Sequence, residues 1–165
     1  MNPEFRAWPK IERWNNESFV ITEKIDGTNA QVCITEQGEI FPGSRNRYIT
    51  IDNDNHGFAR WVDQNKEELL SKLGIGTHYG EWWGCGIQRG YHMSKRVFSL
   101  FNTHRWTDSE VRPRCCDVVP ILNYGVTEEL KFAIQDALNM LMSRGSIAAP
   151  GFMKPEGICI YLQRS

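Results

Sequence analysis

Residues 18–24 form a run rich in β-branched and aromatic side chains, and a glycine follows the last of them by three positions. Such a run favours a strand, and Lys-x-Asp-Gly is typical of the turn that ends it. Side chains alternate along a strand, so Lys24 shares a face with Val20 and Thr22. Glu23 points to the opposite face. We therefore predict a strand over 18–24 that presents a lysine at its end.

The pattern further along the chain predicts antiparallel strands with two packed helices. A second strand covers 30–35 and returns through a hairpin turn at 36–39. Apolar residues at helical spacing predict one helix within 55–73 and another that is capped by Thr127 and ended by Gly145. Further predictions are strands at 95–102, at 116–120 and after Glu156, and an irregular N-terminal arm that packs Trp8 and Trp14 on the domain.

Composition narrows the class of protein. At 165 residues, 41% hydrophobic and 12% aromatic, the chain is long enough for one domain with a core and is not disordered. Its net charge of −1 excludes a generally cationic nucleic-acid-binding protein, so contact with a polyanion requires a local basic patch. No apolar run reaches membrane-spanning length and the N-terminus lacks a signal-peptide pattern, so we expect a cytoplasmic protein.

The cysteines and histidines carry no metal-binding signature. The five cysteines form no Cys-x-x-Cys pair, and the four histidines show no zinc-ligand spacing. We therefore expect reduced cysteines and no structural metal.

Lys24 is the first candidate for chemistry. Apolar surroundings disfavour the charged form of a lysine, which lowers its pKa and frees an amine that attacks electrophiles. The alternative is a surface lysine before a turn, and a lone Lys-x-Asp-Gly does not decide between the two.

Other segments carry candidate binding residues. Ser44-Arg45-Asn46-Arg47 places two guanidinium groups on one side of an extended segment, where they suit phosphate oxygens or form a solvated surface pair. Glu81 lies among aromatic residues and glycines, which is typical of a ligand-facing wall or of a carboxylate paired with an arginine. Phe98 either stacks on a base or belongs to the core, and Glu156 opens the last strand.

Taken in chain order, these parts resemble the ATP-dependent RNA ligases of the covalent nucleotidyltransferase superfamily. The similarity covers roughly residues 5–162. The segments that match the family's motifs are, in order, Glu23-Lys24-Ile25-Asp26-Gly27-Thr28-Asn29, Ser44-Arg45-Asn46-Arg47, Gly80-Glu81-Trp82-Trp83-Gly84, Phe98 to Asn102, and Glu156-Gly157-Ile158.

The resemblance implies an α+β fold of antiparallel β-sheets with packed helices, the nucleotidyltransferase core of ATP-grasp-like ligases. It implies that Lys24 attacks the α-phosphate of ATP, with Mg²⁺ or Mn²⁺ as the metal, and forms a lysyl-AMP phosphoramide. AMP then passes to the 5′-phosphate end of an RNA or other polynucleotide for strand joining. The implied contacts are Arg45 with the phosphates, Glu81 with the ribose, Phe98 with the adenine face, Glu156 with the metal, the backbone near Glu23 with the adenine edge, and Asn29 near the phosphate, with Asp26 and Gly27 completing the motif.

The family continues with a lysine-bearing strand after its fourth motif, whereas this sequence ends at Ser165. We therefore expect a single adenylyltransferase domain over 1–165 that is short at its C-terminus, with a partner chain as the alternative source of that lysine. Two other functions stay open, a nucleotide- or RNA-end-binding module without turnover and a guanylyltransferase that uses GTP. The Trp-rich third motif favours the RNA-ligase branch over the guanylyltransferase.

Overall fold

A computed structural model describes residues 17–164, so the predicted N-terminal arm with Trp8 and Trp14 lies outside the described residues. The eight strands of this part are β1 (Glu17–Lys24), β2 (Thr28–Ile34), β3 (Ile40–Gly43), β4 (Gly76–Gly84), β5 (Arg96–Leu100), β6 (Cys116–Val118), β7 (Ile121–Val126) and β8 (Gly157–Arg164). Its α-helices are α1 (Phe58–Gln64), α2 (Lys66–Leu73), α3 (Thr103–Trp106) and α4 (Leu130–Arg144), and short 3-10 turns cover Gly90–His92 and Thr127–Glu129.

The strands form two sheets, and the chain crosses from one to the other directly after Lys24. In the three-stranded sheet, β1 lies between β7 and β8 and pairs antiparallel with both. The five-stranded sheet has the order β3-β2-β4-β5-β6, in which β5 and β6 are parallel and all other pairs are antiparallel. The turn between β1 and β2 therefore joins the two sheets.

Each sheet packs helices on its outer face. Phe19 and Ile21 of β1 are buried with the inner face of α4, which contributes Ala133, Ala137 and Leu141. On the five-stranded sheet, Trp82 and Phe98 are buried against α1 and α2. A third apolar cluster fills one end of the space between the sheets, and its buried members are Ile25, Trp83, Tyr91, Val97, Val119, Ala149 and Phe152. The rest of the space between the sheets is a cleft.

The side chain of Glu23 ties β1 to the segment that follows α4. It is buried on the α4 side of the sheet and accepts hydrogen bonds from Ser146 Oγ at 2.7 Å and from the amides of Ile147 at 2.7 Å and Ala148 at 3.0 Å. A buried carboxylate requires such partners, because an unpaired one is costly. These bonds fix the end of the strand that carries Lys24.

The α+β fold with antiparallel sheets and packed helices is confirmed. The predicted alternation along β1 is also found, since Phe19, Ile21 and Glu23 are buried on one face while the side chain of Lys24 is on the other and half exposed. The β2–β3 hairpin is observed, and α4 ends before Gly145 as predicted.

Several predicted elements are wrong in detail. The helix predicted within 55–73 is two helices that break at Asn65, whose side-chain amide donates to the carbonyl of Trp61 at 2.8 Å and so competes with the helical pattern. Thr127 does not cap α4, because its hydroxyl donates to the carbonyl of Glu17 at 2.7 Å and a 3-10 turn intervenes. Strand β7 was not predicted.

Between residues 17 and 164, every helix is too short or too polar to cross a membrane.

Candidate active site

The site begins at the end of β1, where Lys24 faces the cleft. Because β1 and β8 run antiparallel with Lys24 opposite Gly157, the residue before Gly157 reaches the lysine side chain. Lys24 Nζ lies 3.1 Å from Glu156 Oε1, with the two side chains 53% and 27% exposed. The register of two strands thus brings together residues that are 132 positions apart in the sequence.

The prediction that burial lowers the pKa of Lys24 is wrong. The hydrogen bond and charge of Glu156 raise the pKa above the ordinary value, and the side chain is too exposed for desolvation to reverse this. Lys24 is therefore an ammonium group held by a carboxylate. It becomes nucleophilic only when that pairing is weakened.

Glu81 faces the same cleft from the five-stranded sheet. It lies directly opposite Asn29, because β2 and β4 pair antiparallel, and the backbone of Gly27 forms a hydrogen bond with its carboxylate. Burial, together with the negative charges of Glu156 and Asp26, raises the pKa of Glu81 to about 7, although the hydrogen bond from the Gly27 backbone and the charge of Lys24 act in the opposite direction. Near neutral pH this carboxyl group is therefore only partly ionised.

Gly27 allows the turn between the sheets to lie directly on β4. A Cβ at this position would come within 2.5 Å of the carbonyl oxygen of Trp82 and within 2.7 Å of Cβ of Trp83. Backbone atoms cannot move aside cheaply, so a side chain at Gly27 would push the turn away from Glu81. The glycine of the motif is thus explained by close packing.

Asp26 is held by two residues that the sequence alone did not single out for this site. Arg89 Nη1 lies 2.8 Å from Asp26 Oδ2, and the backbone amide of Asp26 donates to the hydroxyl of Tyr91 at 2.7 Å. Burial raises the pKa of Tyr91 to about 12, so the hydroxyl stays protonated. Tyr91 has a φ of +53°, an uncommon value for a residue other than glycine. The β4–β5 loop therefore braces the turn that follows Lys24.

Arg45 lies in an exposed turn after β3. Within this turn the amide of Ser44 donates to the carbonyl of Arg47 at 2.8 Å, and the side chain of Gln31 donates to the carbonyl of Ser44 at 3.0 Å. Because β3 runs antiparallel to β2, the turn that follows β3 lies beside the N-terminal end of β2, near Thr28. Arg45 thus lies beside the site, whereas Lys24, Asp26, Glu81 and Glu156 interact electrostatically with one another at its centre.

Phe98 does not line the cleft, and the prediction that it stacks on adenine is wrong. Its side chain is 0% exposed and packs on Phe58, with ring centroids 5.0 Å apart, on the helix-covered face of the five-stranded sheet. Glu81 points to the opposite face. Phe101, three residues later, lies on the cleft side and lines a cavity of about 420 Å³ together with Val20 and Tyr161. The strand pairing, which the sequence does not reveal, decides between the two phenylalanines.

Glu23 contributes its backbone to the strand and not its side chain to the cleft. Its amide donates to the carbonyl of Pro120 at 3.0 Å, and its carboxylate is buried on the far side of the sheet. Among the described residues, no three His, Cys, Asp or Glu side chains converge closely enough to form a metal centre by themselves.

A family model for RNA ligase matches residues 17–164 of the sequence. The chain belongs to the RNA ligase family. No curated protein shows significant sequence similarity to it.

Solved structures share the fold of this RNA ligase family member. Naegleria gruberi RNA ligase with PPi is 20% identical, with a TM-score of 0.57 over 88% of this chain and 46% of that chain. An arginine-to-alanine variant of the same enzyme with ATP and Mn gives 20% identity and a TM-score of 0.59 over 88% and 46%. A glutamate-to-alanine variant with AMP and Mn gives 23% identity and a TM-score of 0.52 over 71% of this chain and 40% of that chain. The chain spans less than half the length of these structures.

The raised pKa of Glu81 predicts a specific effect of pH on stability. An ordinary glutamate has a pKa of about 4.3, so between about pH 4.3 and 7 the folded protein binds a proton that the unfolded chain has released. This group therefore lowers the free energy of unfolding as pH rises through that window. Glu81→Gln should remove this pH-dependent loss of stability. It should stabilise the protein relative to the parent at pH 8, by at most about 4 kcal/mol, but not at pH 4.

Urea denaturation of both proteins across this pH range measures the difference. Glu36→Gln, in the exposed hairpin turn, is the matched control and should leave the pH dependence unchanged. If the difference between parent and Glu81→Gln were the same at pH 4 and pH 8, Glu81 would titrate as an ordinary glutamate.

Proposed function

We propose that this chain is an RNA-ligase-type adenylyltransferase that transfers AMP from ATP to Lys24 and then to the 5′-phosphate end of RNA. One observation carries the proposal. The lysine of the family's first motif lies where the two sheets meet, 3.1 Å from the glutamate of the fourth motif, and Glu81 of the third motif lies within electrostatic reach of both. Residues 17–164 form the domain of this proposed reaction.

The arrangement of the cleft supports one orientation of the nucleotide. We place the adenine in the cavity beside Phe101 and Tyr161, because aromatic rings bind bases by stacking. From there the ribose reaches Glu81, whose partly protonated carboxyl group hydrogen-bonds with hydroxyls. The α-phosphate then lies at Lys24, with Asn29 and Arg45 on the side of the remaining phosphates.

The reaction requires Lys24 to lose its proton before it attacks. Attack by the neutral amine forms a P–N bond to the α-phosphorus and breaks the bond to the β-phosphate oxygen, which releases pyrophosphate. In the structure, Glu156 stabilises the ammonium form of Lys24. We infer that nucleotide binding must draw Glu156 away from Lys24 for the amine to react.

The charge of the site fits a divalent cation bound together with ATP. The carboxylates of Asp26, Glu81 and Glu156 lie close enough to repel one another electrostatically. Lys24 is the nearby cation, and Arg89 forms an ion pair with Asp26. Mg²⁺ is usually held by one or two carboxylates with phosphate oxygens and water, so a cluster of three protein ligands is not required. Glu156 is the residue that would hold it. A bound cation supplies charge neutralisation for the phosphates and competes with Lys24 for Glu156.

The relatives support these choices of nucleotide and metal. Structures of the Naegleria gruberi enzyme contain ATP and Mn, AMP and Mn, or PPi, which are the substrate, the transferred group and the leaving group of the proposed reaction. A cytoplasmic location stays a prediction. A partner chain that supplies a further lysine stays a prediction.

Incubation with ATP and Mg²⁺ should add the mass of one AMP to the intact protein. Lys24→Ala should show no gain, because it removes the attacking amine. Lys154→Ala is the matched control, since this exposed lysine lies two residues before Glu156 and should leave the reaction intact. Intact-mass spectrometry measures all three proteins.

A mass gain on Lys24→Ala would contradict the assignment of the nucleophile. If the parent gained no mass although calorimetry detected ATP binding, the chain would be a nucleotide- or RNA-end-binding module instead of an enzyme.

Phe101→Ala should raise the ATP concentration needed for half-maximal lysyl-AMP formation by about 5- to 150-fold, the equivalent of about 1–3 kcal/mol of stacking. Phe98→Leu is the control, because it keeps an apolar side chain in the core, away from the cleft, and should leave this concentration unchanged. An effect of Phe98→Leu with none of Phe101→Ala would reverse the assignment of the stacking residue.

A further inference from the structure

A second cleft, of about 410 Å³, lies on the helix-covered side of the five-stranded sheet, between α1 and the two ends of the β4–β5 loop. The polar side chains that line it are cationic or neutral, since no Asp or Glu is among the described residues of its lining. The lining residues that matter here are His56, Arg60, Gln64, Lys95 and Arg96. We call this feature the cationic cleft.

The sequence around the cationic cleft has an unusual charge distribution. Residues 82–107 contain no aspartate or glutamate, although the whole chain has 20 of them and a net charge of −1. Arg89, Lys95, Arg96 and Arg105 fall within this segment. Of these four cations, Lys95 and Arg96 line the cationic cleft, where they form with Arg60 a local basic patch of the kind that binds polyanions in a protein without overall positive charge.

Arg96 keeps its charge available to a ligand. Its Nε donates to the carbonyl of Cys85 at 2.8 Å and its Nη1 donates to the carbonyl of His56 at 2.5 Å, so both partners are neutral. Within residues 17–164, ion pairs form at Lys24–Glu156 and Arg89–Asp26 and not at Arg60, Lys95 or Arg96. The guanidinium group is thus fixed in position while its charge is not neutralised, which suits phosphate.

The cationic cleft borders the turn after Lys24 without sharing its cavity. Trp82 lines it and donates to the carbonyl of His56 at 2.9 Å, whereas the preceding residue, Glu81, points to the other face of β4. The adjacent Asn55 donates to the hydroxyl of Thr28 at 3.1 Å, at the start of β2. The β4–β5 loop links the two places, since its ends line the cationic cleft and its middle binds Asp26 through Arg89.

We infer that the cationic cleft binds the phosphodiester backbone of the polynucleotide whose end is joined at Lys24. This inference rests on the proposed function and adds the surface that holds the nucleic acid. ATP does not fit the role, because the strand β4 separates the cationic cleft from the carboxylates and the lysine of the candidate active site. Contacts with the backbone carry no sequence information and predict binding that weakens with salt.

The test compares Arg60→Gln/Lys95→Gln with Lys131→Gln/Arg144→Gln. Both double variants lose two positive charges, and the control pair lies on α4 at the outer face of the other sheet. Fluorescence polarisation measures the binding of each full chain to a labelled, 5′-phosphorylated single-stranded RNA over a range of salt concentrations. Intact-mass spectrometry measures lysyl-AMP formation in the same proteins.

The logarithm of the association constant for RNA falls linearly with the logarithm of the salt concentration. We expect this line to be less steep in Arg60→Gln/Lys95→Gln, by about 1.4 in slope, or about 0.7 for each lost phosphate contact. The control should keep the slope of the parent, and all three proteins should form lysyl-AMP equally. The inference is overturned by an unchanged slope in Arg60→Gln/Lys95→Gln, by a parent that does not bind the RNA, or by selective loss of lysyl-AMP in that variant. Absence of lysyl-AMP in all three proteins would instead refute the proposed function.

Discussion

The structure depends on the point where the chain leaves one sheet and enters the other. Between Lys24 and Thr28 the backbone passes so close to β4 that Gly27 has no room for a side chain. This contact sets the distance between the two sheets and therefore the width of the cleft. It also places Lys24 of one sheet across the cleft from Glu81 of the other. The packing of the turn therefore determines which residues meet in the site.

The electrostatics of the site follow from this close approach. Three carboxylates face a single lysine, and Arg89 compensates only Asp26. Two features limit the negative charge of the site. Lys24 keeps its proton, and burial, with a further contribution from the neighbouring carboxylates, raises the pKa of Glu81 to about 7. The proton on Lys24 opposes the chemistry of a neutral amine, whereas protonation of Glu81 removes a negative charge that would stabilise the ammonium form of Lys24. In the proposed reaction, cations bound with the nucleotide would satisfy the carboxylates in place of the ammonium group of Lys24, which would allow the amine to react.

Much of this arrangement could be predicted from the sequence, because strand periodicity and motif order are local signals. The face of β1 that carries Lys24 was predicted correctly, and the family that the motifs indicated is confirmed by the family model. The long-range contacts could not be read in the same way. Phe98 and Phe101 lie on opposite faces of the sheet, and only the pairing of β4 with β5 shows which face is the cleft. The partners of Asp26 come from a loop whose conformation includes residues with positive φ, for which the sequence gives no signal beyond its glycines.

The exchange of labelled pyrophosphate into ATP tests the central claim most directly, because it requires reversible formation of the bond between Lys24 and the α-phosphate. We predict exchange with ATP that depends on Lys24 and on a divalent cation, and none with GTP. Bound ATP without any exchange would contradict the claim that these residues form a nucleotidyl-transfer site. Equal exchange with GTP would contradict the assignment of the nucleotide as ATP.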